Sequence, residues 1–131
     1  MRRLLRTCVL AIVIAATPAC AALAPRLENP VAGAQTPDQR AYALLNTYAA
    51  VLEEAADIAR DPAVPIEMKR ALARAESAAT PAVDALHAAL GVYLTARDDR
   101  AAARLRQASE AAETPMATLL ELVRAEQGGA P

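Results

Sequence analysis

Apolar residues recur at steps of three and four positions after Thr36, and this spacing constrains the fold more than any other feature. The first stretch contains Ala41, Leu45, Tyr48, Leu52, Ala55 and Ala59, widened by Leu44, Val51 and Ile58. The second stretch contains Met68, Leu72, Ala75, Ala79, Val83, Leu86, Leu90 and Tyr93. Residues three and four positions apart lie on one face of an α-helix, so both stretches predict amphipathic helices.

The ends of the first helix are marked by a capping pattern and by proline. Thr36 is suited to the N-cap, Pro37 to the first helical position, and Gln39 to the reciprocal partner in a capping box. Pro62 disfavours a helical conformation in the residue before it. The sequence therefore predicts a first helix over 37–60, followed by a short corner.

Two Thr-Pro pairs punctuate the rest of the chain. The apolar face continues across Thr80-Pro81, which favours one helix over 66–111 with a kink near the proline, because proline removes a backbone hydrogen bond. The alternative is a helix that ends near Ala79, followed by a second helix with Thr80 as its cap. Thr114-Pro115 repeats the pattern of cap and proline, and it predicts a last helix over 115–127.

The predicted core is thin. Alanine supplies much of the 55% hydrophobic content, and the aromatic content is 2%, all of it tyrosine. After Leu94 the apolar positions become sparse, and we expect one weakly buried face from Ala101, Leu105, Ala108 and Ala112. Large side chains contribute most of the free energy of burial. A leftover apolar face in this part of the chain therefore favours a partner that covers it.

The predicted fold class is all-α, an antiparallel helical hairpin extended to a small three-helix bundle. The helical domain spans 36–127 and is followed by a tail over 128–131. The segment over 21–35 is rich in Ala, Pro and Gly and is predicted to be a flexible tether. A signal peptide over 1–20 precedes the tether.

The first twenty residues have the organisation of an export signal. A basic start, an apolar run and small residues before a peptidase site follow one another in this segment. Its basic residues are Arg2, Arg3 and Arg6, and it ends with Thr17, Pro18, Ala19 and Cys20. The pattern predicts an exported protein of the bacterial cell envelope, at the outer membrane or in the periplasm.

The end of this segment resembles bacterial lipoprotein signals, in which a Leu and two small residues precede a Cys. The match holds at Ala19 and Cys20 and fails at Thr17 and Pro18. The resemblance implies cleavage before Cys20 and acylation of its thiol, with membrane lipid as the partner held through Cys20. A conventional cut after Ala21 is the alternative, and it would release the protein into the periplasm or the medium. An uncleaved membrane anchor is the third possibility.

Charge and cysteine content limit the classes of partner. Without the three arginines of the signal, eleven basic residues face fifteen acidic ones, for a net charge of −4. Nucleic-acid binding requires a basic patch, so the sequence predicts no nucleic-acid partner. Cys8 and Cys20 both lie in the signal, so the helical domain is predicted to contain no disulfide.

The residue pattern predicts no catalytic site, no metal and no cofactor. His87, the single histidine, follows Asp84 by three positions, without a nucleophile or enough ligands for zinc. Met68 and Met116 occupy apolar positions, which favours a core role over haem ligation. A solvated acidic face is expected from Glu53, Glu54, Asp57 and Asp61.

Tyr42 differs from the other two tyrosines because it lies off the predicted apolar face of its helix. Tyr48 and Tyr93 fall within the apolar stripes and are expected to pack between helices. Exposed tyrosine is enriched at protein interfaces, so Tyr42 is the candidate contact with a partner.

The whole chain resembles small exported, lipoprotein-like helical proteins of alphaproteobacteria and their prophages. The resemblance rests on the signal, the tether, Thr-Pro-x-Gln-Arg-Ala-Tyr at 36–42 and Asp-Pro-Ala-Val-Pro at 61–65. That group has no established activity, so the resemblance implies export and helical structure but no reaction. We therefore expect a non-enzymatic interaction or structural module that binds a protein partner or itself. An amphipathic membrane-surface protein is the alternative, although the acidic, lysine-poor composition disfavours it.

Overall fold

The computed structural model describes residues 33–128, and these residues form a bundle of three helices without strands. Helix α1 spans Pro37–Arg60, α2 spans Ile66–Ala96 and α3 spans Asp99–Gly128. The all-α class and the small three-helix bundle are thereby confirmed. The predicted signal peptide with Cys20, most of the tether over 21–35 and residues 129–131 lie outside the described residues.

Helix α1 begins and ends where the sequence predicts. The Gln39 backbone N–H donates to the Thr36 hydroxyl at 3.4 Å, and the Thr36 N–H donates to the Gln39 side-chain oxygen at 3.3 Å. This reciprocal pair is a capping box, which satisfies donors that the first helical turn leaves unpaired. At the other end the Asp61 N–H donates to the Asp57 carbonyl, after which Pro62 cannot continue the ladder.

The predicted boundary between the second and third helices is wrong. We expected helices over 66–111 and 115–127, whereas the break lies at Arg97 and Asp98. Arg97 adopts the left-handed conformation (φ 50°) that ends α2, and an Asp98 carboxylate oxygen accepts the Ala101 N–H at 2.7 Å, which caps α3. Thr114-Pro115 lies inside α3, just as Thr80-Pro81 lies inside a continuous α2.

The bundle has an up-down-up topology. Arg40 contacts Glu113 and Glu54 contacts Gln127, so positions rise together along α1 and α3 and these two helices run parallel. Between α1 and α2 the order is reversed, since Ala41 shares a hydrophobic cluster with Leu90, and Ile58 shares one with Leu72. Short connections between consecutive helices are compatible only with such antiparallel neighbours.

Two hydrophobic clusters follow one another along the bundle axis. The first contains Ala41, Leu44, Val83, Leu86, Leu90, Leu105, Ala112 and Met116. The second contains Val51, Ala55, Ile58, Val64, Leu72, Ala75, Leu119 and Val123. All three helices contribute to both clusters, which is the arrangement of a single continuous core.

The expected weak burial after Leu94 is also wrong. Leu105 and Ala112 are fully buried, and Ala101 is 4% exposed, because the first half of α3 packs along α2. The leftover apolar face that we expected a partner to cover is therefore the inner face of the third helix. The correct turn position at Arg97 and Asp98 explains the difference, because it folds this segment back onto the hairpin.

The apolar stripe of α1 is centred differently from the prediction. Leu44, Val51 and Ile58, which we expected to widen the stripe, are buried, whereas Leu45, Tyr48 and Leu52 are half-buried and Ala59 is exposed. Helix α1 faces both α2 and α3, so the buried arc must extend towards both neighbours. The α2 stripe is confirmed from Leu72 to Leu90.

Candidate interaction surface

Tyr42 is the predicted contact residue that the structure describes. It lies next to buried Ala41 in the second turn of α1, and it is 47% exposed. By contrast, Tyr48 and Tyr93 are half-buried and pack against the first hydrophobic cluster. The exposure of Tyr42 makes its ring available on the surface, while Cys20 lies outside the described residues.

The start of α1 lies close to the turn that joins α2 and α3. The Thr36 hydroxyl lowers the pKa of the Asp38 carboxyl below its ordinary value of 3.8 through a hydrogen bond. Burial opposes this effect, whereas the backbone N–H groups of Asp38 and Gln39 and the charge of Arg97 lower the pKa of Asp38 further. Ala41 shares a hydrophobic cluster with Leu90 and Leu105, so the start of α1 lies in the half of the bundle that contains the α2–α3 turn.

A shallow depression lies on the outer side of α1, away from Tyr42. Its lining residues are Leu52, Glu53, Ala56, Asp57 and Arg60. Arg60 donates to the Asp57 carboxylate at 2.5 Å, so two of the three charged residues in the depression pair with each other. This arrangement offers a charged, solvent-exposed surface rather than a closed site in which a reaction could be shielded from water.

The titratable candidates are dispersed over the surface. His87 and Asp84 are both exposed on α2, and Glu53, Glu54, Asp57 and Asp61 are exposed as well. Within residues 33–128, no group of three or more His, Cys, Asp and Glu side chains is arranged to hold a metal ion. Met116 is buried and Met68 is half-buried in the hydrophobic clusters.

Several polar contacts between helices were not predicted from the sequence. Two Arg40 nitrogens donate to one Glu113 carboxylate oxygen, which joins α1 to α3. Gln127 donates to Glu54 at 2.9 Å, with the same separation of 73 positions along the chain. The Tyr48 hydroxyl lies 3.0 Å from the Thr80 hydroxyl, which joins α1 to α2. Apart from Tyr48, which lies within the apolar stripe of α1, these residues are polar positions outside the stripes, and only the register of the helices identifies them as partners.

Comparison with known proteins gave no match to a family model, to a curated protein or to a solved structure. In the part of the chain that the structure describes, no helix has the length and apolar character needed to span a membrane. The resemblance to alphaproteobacterial exported proteins stays a prediction. The case for a function therefore rests on the N-terminal sequence and on the surface of the bundle.

Proposed function

We propose that this chain is an exported envelope protein, held on a membrane by acylation of Cys20, whose bundle acts as a non-enzymatic interaction or structural module. The observation that carries the proposal is the order of basic start, apolar run and terminal Cys in the first twenty residues. Helix α1 starts seventeen positions after Cys20, which leaves a spacer between anchor and domain. Such a spacer suits a folded module displayed from a lipid surface.

The surface of the bundle supports an interaction role. Tyr42 presents an aromatic ring that is 47% exposed, next to a core that the three helices fill by themselves. Tyrosine contributes a large, rigid contact area with a polar end, which is why it is enriched at interfaces. The partner class is a second protein of the envelope or a second copy of this chain.

Intact mass spectrometry of the mature protein tests the anchor. The expected mass corresponds to a chain that starts at Cys20 and carries a diacylglyceryl group, recovered in the membrane fraction. Cys20→Ser is expected to abolish the lipid mass and the membrane recovery, whereas Cys8→Ser removes the other cysteine and should change neither. A mature chain that starts at Ala22 and appears in the soluble fraction would contradict anchoring and indicate a released protein.

Light scattering and crosslinking test the interaction role. The mature protein is expected to self-associate or to crosslink to a distinct envelope protein, and Tyr42→Ala should weaken that association. Val92→Ala is the matched control, because Val92 is 49% exposed on another helix. A monomer that crosslinks to no protein, with and without Tyr42, would count against an interaction module.

A further inference from the structure

The two prolines inside helices lie at the same level of the bundle. Pro81 lies sixteen positions before the turn at 97–98, and Pro115 lies seventeen positions after it. Because α2 and α3 are antiparallel neighbours, positions at equal distances from the turn lie side by side. Val83 and Ala112 belong to one hydrophobic cluster, in agreement with this register.

Each proline removes one backbone hydrogen bond from its helix, because proline has no N–H. The carbonyls of Ser77 in α2 and Ala111 in α3 therefore lack the donor four positions ahead, and both residues are exposed to solvent. Sharp bends in helices occur mostly at proline. Helices α2 and α3 nevertheless continue through Pro81 and Pro115, so two neighbouring helices are continuous but weakened at one level.

Threonine hydroxyls weaken all three helices near the same level. Each donates to the backbone carbonyl four positions earlier, a bond that competes with the helical ladder and often bends the helix. The pairs are Thr47–Ala43 in α1, Thr80–Glu76 in α2 and Thr118–Thr114 in α3, at 2.8, 2.9 and 3.2 Å. The Tyr48 hydroxyl lies 3.0 Å from the Thr80 hydroxyl, so this part of α1 lies at the level of Pro81.

The hydrophobic core changes from the first cluster to the second at this level. The neighbouring members of the two clusters are Leu44 and Val51 in α1, Val83 and Ala75 in α2, and Met116 and Leu119 in α3. Met116 has a flexible side chain that adapts to small changes in packing. A tilt of one cluster against the other at this level therefore leaves the packing within each cluster intact.

We propose that the bundle bends at this level, which we call the hinge layer and define as residues 47–48 of α1, 80–81 of α2 and 114–115 of α3. The half with the α2–α3 turn tilts against the half with the α1–α2 corner, while all three helices stay folded. The tilt changes the angle between Tyr42 in one half and the depression around Asp57 in the other. A partner that contacts both surfaces therefore selects one angle.

Distance measurements between spin labels on the mature protein test the bend. Labels are attached through ketone-bearing residues at Arg70 and Val92, so that the native cysteines stay unchanged; both positions are exposed and lie on opposite sides of the hinge layer. The control pair is Val92 with exposed Gln107, both on the side of the α2–α3 turn. Double electron–electron resonance should give a several-fold broader distance distribution for Arg70–Val92 than for the control pair.

Proline substitutions identify the cause of the breadth. Pro81→Ala with Pro115→Ala restores both backbone N–H groups and should narrow the Arg70–Val92 distribution to the width of the control pair. Pro62→Ala with Pro65→Ala removes two prolines from the α1–α2 corner and should leave the distribution broad. Circular dichroism and thermal unfolding check that both double variants are folded.

Three outcomes overturn the hinge. An Arg70–Val92 distribution as narrow as that of the control pair does so in the parent chain, whether or not a variant folds. Equal breadth in both pairs would mean that the bundle is loosely packed throughout. Breadth that persists in Pro81→Ala with Pro115→Ala would assign the motion to another part of the bundle. The results are independent of the acylation of Cys20, so they test the hinge and leave the proposed function to its own experiments.

Discussion

Asp38 links the start of α1 to the pH dependence of the bundle. Its carboxylate is stabilised by the Thr36 hydroxyl, by the first-turn N–H groups and by Arg97, so its pKa in the folded chain lies below 3.8. A lowered folded-state pKa contributes stability at pH values above the unfolded pKa, and this contribution is lost as the pH falls through the folded pKa. Asp38→Asn should therefore reduce stability near neutral pH and flatten the acid side of the pH profile below about 3.8.

The measurement is urea unfolding at a series of pH values, with an NMR titration of the Asp38 carboxyl. Asp84→Asn is the control, because Asp84 is an exposed aspartate in the interior of α2, away from a helix start. An equal loss of stability in Asp84→Asn would assign the effect of Asp38→Asn to the removed charge alone and not to the helix cap. A carboxyl pKa of Asp38 at or above 3.8 would contradict the role given to the cap and to Arg97.

Leu105 tests how much the packing of α3 contributes to the stability of the bundle. Its side chain is fully buried in the first hydrophobic cluster, although the sequence around it is rich in Arg, Asp and Ala. Leu105→Ala should destabilise the protein by about 2–5 kcal/mol, because it leaves a cavity between packed helices. Leu94→Ala removes the same atoms from a side chain that is 39% exposed, and should cost less than about 0.5 kcal/mol.

Chemical denaturation of the two leucine variants provides the comparison. A similar, small loss for both would show that α3 is only loosely attached over its first half. The opposite result, a large loss for Leu94→Ala, would mean that the surface near the α2–α3 turn is covered in solution. The predicted ratio of the two losses in unfolding free energy depends only on burial, since both residues are leucines on helices.

The helices themselves were predictable to different degrees. The capping box at Thr36 and the prolines after Arg60 identify both ends of α1, because local hydrogen bonds decide them. The end of α2 was not predicted, because the left-handed residue that ends it is Arg97 and not a glycine, the residue that usually marks such a position. Asp98, which caps α3, was read as one member of a charged run. Thr114-Pro115 predicted the start of a helix, but the pair lies inside α3, where packing overrides the local cost of proline.

The surface was harder to predict than the fold, because it depends on register. The exposure of Tyr42 follows from its position off the apolar stripe of one helix. The packing of the start of α1 against the end of α2 and the first half of α3, however, follows only from the up-down-up topology. The Arg40–Glu113 and Glu54–Gln127 contacts could not be predicted from the sequence for the same reason, since they join positions 73 residues apart.

Tyr48 joins the two halves of the whole molecule. Its half-buried ring packs against both hydrophobic clusters, and its hydroxyl pairs with Thr80 on α2. Tyr48→Phe should cost about 0.5–1.5 kcal/mol, because it removes one hydrogen bond and keeps the ring. Tyr48→Ala should cost more and should also reduce the cooperativity between the clusters, because it removes the aromatic contact that spans them.

Native-state hydrogen exchange distinguishes these two effects. In the parent chain, amides near Leu86 in the first cluster and Leu119 in the second should exchange with similar free energies, because one cooperative opening exposes both. Tyr48→Ala should make the two free energies diverge, while Tyr42→Ala, a control at an exposed tyrosine, should leave them equal. If both free energies instead fall together in Tyr48→Ala, the other core side chains couple the clusters without the ring. In that case Tyr48 contributes burial and a hydrogen bond, and the continuous α2 and α3 helices transmit the coupling.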